Sequence, residues 1–263
     1  MMQSSDPAIA IDGLSLHYGA LRVVHGLSLA IPRGAFTALI GPNGCGKSTL
    51  LKGLTRVLPA MSGGIHIEGR PLVELSARAL AQRVALLPQV LPVPEGITVR
   101  QLVAYGRSPH NNIWGRLDPT DRAAIDRAMD RMQIVEIADR PVSDLSGGQR
   151  QRVWIAMVVA QETPIVLLDE PTTFLDINRQ IDVLRFARRL AAEGKAVVAV
   201  LHDLNQAFRY ADHVAVMKAG RLISAGAPAA VAEPELLREV FSIDTRILSD
   251  PESGSPLLII REP

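Results

Sequence analysis

Gly41-Pro42-Asn43-Gly44-Cys45-Gly46-Lys47-Ser48 satisfies every fixed position of the pattern G-x-x-x-x-G-K-[ST]. Glycines let backbone N–H groups converge on phosphate oxygens, and a helix opening at the lysine adds its positive end. In such a loop Lys47 can reach β- and γ-phosphates and the Ser48 hydroxyl can ligate Mg²⁺. A second cluster, Ile165-Val166-Leu167-Leu168-Asp169-Glu170-Pro171, is an apolar run ending in two carboxylates. Asp169 suits the shell of a Mg²⁺ ion, and Glu170 suits polarising a water as general base; two acids before a proline could also merely cap a strand. A third, Leu145-Ser146-Gly147-Gly148-Gln149, exposes N–H groups where a helix begins, again an anion site, although Ser-Gly-Gly alone is a common loop.

The elements that must hold these residues are visible as patterns. Phe36–Ile40 is a short apolar run feeding the glycine loop, and Ser48–Leu54 reads as a helix, so strand, loop and helix form the βα unit of a parallel sheet. Val84–Leu87, Ile165–Leu168 and Val197–Leu201 repeat the continuous apolar signal of strands covered on both faces. The first forty residues alternate in β fashion, broken by turn signals at Asp12-Gly13, Tyr18-Gly19 and Pro32-Arg33-Gly34. Residues 90–160 read as helices over Thr98–Gly106, Pro119–Met132 and Gly147–Ala160, with Asp118 as N-cap and Pro119 at the first helical position. They predict a helical lobe inserted into an α/β core. A tail after Gly226 carries a helix (Pro234–Val240) and a strand (Leu257–Ile260).

Composition excludes several classes. The 263 residues are 48% hydrophobic and 21% charged, an ordinary globular balance. Twenty-eight Lys and Arg against 27 Asp and Glu leave a net charge of +1, with no electrostatic reason for a nucleic-acid partner. Asp121-Arg122, Asp126-Arg127 and Asp130-Arg131 read as a solvated helix face. A single cysteine, Cys45, rules out an internal disulfide and a Cys-cluster metal site. In the glycine loop it is either a redox switch or a small residue valued for its backbone. The N-terminus shows no basic-then-apolar signal pattern, and no apolar run approaches the ~20 residues of a membrane span.

In combination and order these motifs resemble the ATP-binding-cassette ATPase family over roughly residues 8–226. Gly41–Thr49 looks like Walker A, Leu145–Gln149 like the signature motif, and Ile165–Glu170 like Walker B. Gln89, after Leu86-Leu87-Pro88, resembles the Q-loop glutamine. Phe174-Leu175-Asp176 resembles the D-loop, with Phe174 where many members carry a small residue. His202 resembles the switch histidine at the γ-phosphate, and Tyr18 the A-loop aromatic that stacks on adenine, with turn packing as its alternative role. The resemblance implies a P-loop NTPase (RecA-like) α/β core with a parallel sheet, an N-terminal antiparallel β subdomain and an inserted helical subdomain. As one cassette of 1–263, the core would take 1–89 and 161–226, the helical signature subdomain 90–160 and a C-terminal extension 227–263.

It also implies ATP hydrolysis with Mg²⁺. ATP would lie against Tyr18, Gly41, Pro42, Asn43, Gly44, Cys45, Gly46, Lys47, Ser48 and Thr49 of one copy, and against Ser146, Gly147, Gly148, Gln149 and Asp176 of a second. Ser48, Gln89 and Asp169 would hold the metal; Glu170, His202 and Gln89 would serve the chemistry. Gly106–His110, Glu170–Asn178, Leu201–Gln206 and the Asp250–Leu258 tail are similar to the importer branch serving ferric siderophores, with haem, cobalamin and other metal chelates as alternatives. The implied assembly is a homodimer at the cytoplasmic face of the inner (plasma) membrane, peripheral, under two integral-membrane permease subunits, with an extracytoplasmic binding protein as indirect partner. Two rival readings remain. A soluble cassette ATPase acting on DNA or ribosomes would carry tandem cassettes or long coiled-coil insertions. A non-catalytic nucleotide sensor would show degenerate motifs, whereas Lys47, Asp169, Glu170 and His202 are all present.

Overall fold

The apolar runs form neighbouring parallel strands in an order that differs from the chain's. The computed structural model describes residues 6–111, 116–173 and 175–261. Its six-stranded sheet has the order β10-β9-β3-β8-β7-β6, from β3 (Phe36–Ile40), β6 (Val84–Leu87), β7 (Ile165–Leu168), β8 (Ala196–Val200), β9 (His213–Lys218) and β10 (Arg221–Gly226). All neighbours pair in parallel except β9 and β10. Alternate residues feed opposite cores. Phe36, Ala38 and Ile40 face one apolar cluster, while Leu39 joins the other; Val166 and Leu168 are likewise divided from Ile165 and Leu167. Both faces are dry, which explains runs with no polar alternation.

One face carries the four-stranded antiparallel sheet β2-β1-β4-β5, with helices α1 (Lys47–Leu54) and α2 (Ala77–Ala81). Its strands are β1 (Ile9–Tyr18), β2 (Leu21–Ile31), β4 (Ala60–Ile67) and the short β5 (Arg70–Pro71). The expected turn at Gly19 joins β1 to β2, with φ +58°. Asp12-Gly13, expected as a turn, lies inside β1. Gly13, at φ +55°, shifts the register between Ile11 and Leu14 and donates its N–H to Ser28 Oγ at 2.9 Å. This is a bulge, which uses the same glycine chemistry as a turn without ending the strand.

The other face carries α3 (Val99–Tyr105), α4 (Pro119–Arg131), α5 (Gly147–Ala160), α6 (Ile177–Ala192) and α7 (Leu204–Tyr210). The tail adds α8 (Pro228–Val231), α9 (Pro234–Phe241) and the hairpin β11 (Thr245–Ser249)–β12 (Pro256–Ile260). Asp118 caps α4 in a reciprocal box: its Oδ1 accepts the Asp121 N–H at 2.8 Å, and its own N–H donates to Asp121 Oδ2 at 3.1 Å. Asp121 departs from the solvated face expected of it. It is 3% exposed and receives Arg107 Nε at 2.8 Å, while Arg107 Nη1 also reaches the Ala160 carbonyl and Glu162. Burial alone would raise the Asp121 carboxyl, but hydrogen bonds from Arg107 and the Asp118 N–H, with the guanidinium charge, hold it below the usual carboxylate range. Gly106 precedes that arginine because a Cβ there would stand 2.1 Å from the Met157 carbonyl of α5. Among the described residues no helix is long and apolar enough to cross a membrane.

Candidate active site

The strand order fixes the site. In sequence from one side, β3, β8, β7 and β6 end side by side, so the chain leaving each enters the same region: the glycine loop after β3, His202 after β8, Asp169-Glu170 after β7 and Gln89 after β6. A cavity of about 450 Å³ results, lined by Asn43, Gly44, Gly46, Lys47, Ser48, Thr49, Gln89, Glu170, Thr173 and His202. An adjoining cavity of about 430 Å³ shares Gln89, Glu170 and Thr173 and adds Asp169, Gly147 and Gln151.

The loop has little freedom in composition. A Cβ on Gly41 would lie 2.1 Å from the Met217 carbonyl of β9, and Gly46 adopts φ +104° as N-cap of α1. Lys47, buried, donates to the carbonyls of Gly41 at 2.8 Å and Pro42 at 3.0 Å, so its ammonium is held against the loop it belongs to. Cys45 is buried too. Burial pushes its thiol up, against the Lys47 ammonium 3.9 Å away, which leaves it unlike the exposed low-pKa thiol of a redox switch.

Ser48 Oγ donates to Asp169 Oδ1 at 2.7 Å. Burial pushes the Asp169 carboxyl above its ordinary value; the Ser48 bond opposes this and the neighbouring Glu170 charge adds to it. Two hard oxygen donors meeting at a part-buried point, beside the Gln89 amide, fit Mg²⁺, which takes one or two carboxylates plus substrate oxygens and waters. Among the described residues no trio of His, Cys, Asp and Glu forms an all-protein metal cage.

Glu170 is the point of convergence. Its Oε2 accepts Gln89 Nε2 at 2.8 Å and Thr173 Oγ1 at 3.2 Å, and its Oε1 lies 2.8 Å from His202 Nε2. Its backbone has φ +52°, a left-handed conformation that costs a non-glycine residue about 1–3 kcal/mol. Such strain persists only where surrounding bonds dictate it.

Other expected residues lie elsewhere. Tyr18 ends β1, about half exposed, with Lys52 of α1 5.8 Å from its ring centroid; it does not line the Lys47 cavity. Ser146, Gly148, Gln149 and Asp176 are also outside that cavity. Ser146 caps α5 and exchanges bonds with Gln149 in a second reciprocal box, and Asp176 caps α6 through the Arg179 N–H at 3.0 Å. A Cβ on Gly147 would meet nothing within 4 Å, and one on Gly148 only the Arg179 side chain at 3.8 Å. Phe174 lies outside the described residues. Sequence reading passed over Thr173, a hydroxyl three residues beyond Glu170 in a turn, and Lys52, one helical turn beyond Ser48.

Residues 24–173 match the model of the ABC transporter family. The chain is 46% identical to the ferric enterobactin transport ATP-binding protein of Escherichia coli K12, covering 94% of this chain and 91% of that one. It is 42% identical to the iron(3+)-hydroxamate import ATP-binding protein of Bacillus subtilis 168, over 96% and 94%. It is also 42% identical to the hemin import ATP-binding protein of Streptomyces coelicolor, over 95% and 89%. Among solved structures, a chain of an ABC transporter assigned to the metal-chelate type, in an inward-facing conformation, superposes with a TM-score of 0.83 at 27% identity, covering 98% of each. The fold and most of the sequence are thus shared with a known group, and the chain belongs to the ABC transporter family as one of its ATP-binding, ATP-hydrolysing subunits.

Proposed function

We propose that the chain powers uptake of an iron–siderophore complex, working as a homodimer bound to the membrane permease subunits of its importer. In this reading ATP lies along the glycine loop, with Lys47 turning from its loop carbonyls to the β/γ-phosphates and Tyr18 stacking on the base. A Mg²⁺ ion, where bound, would be held by Ser48, Asp169 and Gln89 and would neutralise charge on the phosphates. Glu170 orients and deprotonates the attacking water, and His202 faces the γ-phosphate from the adjacent strand end. The observation that carries the reading is the meeting of Gln89, Thr173 and His202 on the Glu170 carboxylate beside Lys47.

The second copy is supported by Gly147 and Gly148. Among the described residues no atom crowds a Cβ at either glycine, which leaves room above them for a group from outside the chain. With Ser146 they present a helix N-terminus, to which the partner's γ-phosphate is complementary. ATP bound between the copies would favour the closed dimer through its contacts to both, and hydrolysis would remove that preference. Glu170→Gln tests the core of this: it should retain ATP binding, lose turnover and accumulate an ATP-dependent dimer in size-exclusion chromatography. Undiminished turnover would remove Glu170 as base; a protein that stays monomeric at saturating Mg-ATP would remove the clamp.

The cargo rests on relatives alone, since a cytoplasmic-side ATPase subunit makes no contact with it. Siderophore import is favoured by the names of several similar proteins, and haem import is the second reading because a haemin-import protein is equally similar to the hydroxamate one at 42%. Growth of a deletion strain on single iron sources separates them: loss of growth on ferric siderophore alone supports the first, and loss on haem alone the second.

A further inference from the structure

The turn that presents Glu170 has three backbone anchors, and one comes from a side chain with no assigned role. The Asp169 N–H donates to Leu87 O at 2.9 Å, tying the end of β7 to β6. The Thr173 N–H donates to Glu170 O at 3.3 Å and closes the turn. The third anchor is Gln151, whose Nε2 donates to the carbonyl of Pro171. Gln151 is the fifth residue of α5, the helix opened by Ser146-Gly147-Gly148, and is 8% exposed. Pro171 is buried and, lacking an N–H, offers the backbone only that carbonyl. Gln151, Gly147, Asp169 and Glu170 also line one cavity.

We infer that Gln151 is a positioning residue for hydrolysis: its carboxamide clamps the Glu170-Pro171 turn to the signature helix, so that the base and that helix move as one unit. The inference rests on the reading of Glu170 as general base. A left-handed backbone at Glu170 relaxes unless its neighbours fix it, and the residue after it is fixed by this bond. A buried amide in the middle of a helix would otherwise be a poor occupant of its position; here it fixes the backbone from which the Glu170 side chain extends, and so the aim of its carboxylate. Orientation at that level governs the rate of the chemical step and leaves nucleotide affinity aside, because the bond touches no residue of the glycine loop.

Gln151→Met keeps length and volume and removes the donor; Gln151→Glu keeps the shape and replaces the donor with an acceptor facing the Pro171 carbonyl. In the full chain, phosphate release at saturating Mg-ATP should fall roughly tenfold in Gln151→Met and further in Gln151→Glu, a size set by one lost buried hydrogen bond. ATP affinity, read by displacement of a fluorescent ATP analogue, should stay within about twofold because the glycine loop is intact. Turnover equal to the parent's would overturn the inference. So would parallel loss of affinity and turnover, or failure of both variants to fold, since either would make the amide a packing requirement. Glu170→Gln run alongside keeps the two claims apart. If it retains turnover, the base assignment fails; if it loses turnover while Gln151→Met does not, only the clamp fails.

Discussion

Gly148→Ala should make the protein more stable and destroy its activity. Gly148 is the second residue of α5, in helical conformation, and an added Cβ meets only the flexible Arg179 side chain at 3.8 Å. Alanine in place of glycine within a helix is favourable by up to about 1 kcal/mol, and less in a first turn. For a chain of this size 1 kcal/mol corresponds to roughly 2–4 °C, so the melting temperature should rise by about 0–3 °C. Turnover should fall on the order of 10²-fold, because a methyl group would hold the partner's phosphate off the N–H donors of this helix end, the equivalent of losing one well-aimed donor to a charged transition state. Circular dichroism melts of the free chain and phosphate release at saturating Mg-ATP measure the two quantities on one preparation. Gly41→Ala is the contrasting control. Its Cβ would lie 2.1 Å from Met217 O and 2.8 Å from Cys45 Sγ, so it should lose stability and activity together. If Gly148→Ala turned over at the parental rate, the glycine would need no external occupant and the trans clamp would have no support from this site. If it melted many degrees lower, its own fold would explain the glycine.

Four further outcomes are expected. Asp121→Ala should cost about 3 kcal/mol, the low end for breaking a buried pair because Glu162 still meets Arg107, whereas Asp126→Ala, whose exposed partner is Arg100, should cost under about 0.5 kcal/mol by urea unfolding. Because the Asp121 carboxyl is held below its unfolded value of about 3.9, its contribution is present above that pH and disappears as pH falls through the folded pKa. The gap in stability between parent and Asp121→Asn should therefore narrow between about pH 4 and the acid limit of folding, and a gap independent of pH would contradict it. Thr173→Val, which removes one donor from Glu170, should lower kcat about 3- to 10-fold with KM unchanged; a change confined to KM would place Thr173 in nucleotide binding. Tyr18→Ala should weaken ATP about 10-fold while leaving inorganic tripolyphosphate unaffected, and equal losses for both ligands would refute base stacking.

The strands of the core were legible because they are dry on both faces and stop abruptly. Phe36–Ile40 ends at Gly41 and Ile165–Leu168 ends at Asp169, so composition changes where the backbone leaves the sheet. β4 was not legible: its first five residues are exposed or partly so and include Gly63 and Gly64, so no alternation appears before Ile65. Asp12-Gly13 misled because a positive-φ glycine serves a bulge as well as a turn. Asp121 misled for a different reason. In the sequence it is one of three Asp-Arg steps, and its partner Arg107 lies on another helix's end; only packing separates it from Asp126 and Asp130. In the site, the chemical types could be read directly. Their convergence could not, because it depends on a strand order in which β8 stands between β3 and β7.

That order also explains why one carboxylate collects donors from three directions. Gln89 arrives from the strand beside β7 on one side and His202 from the strand beside it on the other, while Thr173 comes from the turn itself. Two of the donors are carried by segments with a second attachment: the chain after Gln89 runs into α3, and His202 precedes α7. A displacement of α3 that lengthened the Gln89 contact would leave Glu170 with His202 and Thr173, reorienting the carboxylate without breaking its backbone anchors. Such a displacement would require no movement of the glycine loop. Gln89→Glu, which replaces the amide donor with a like charge 2.8 Å from Glu170 Oε2, should accordingly depress turnover far more than it weakens ATP binding. Equal effects on both would show that Gln89 acts on the nucleotide directly.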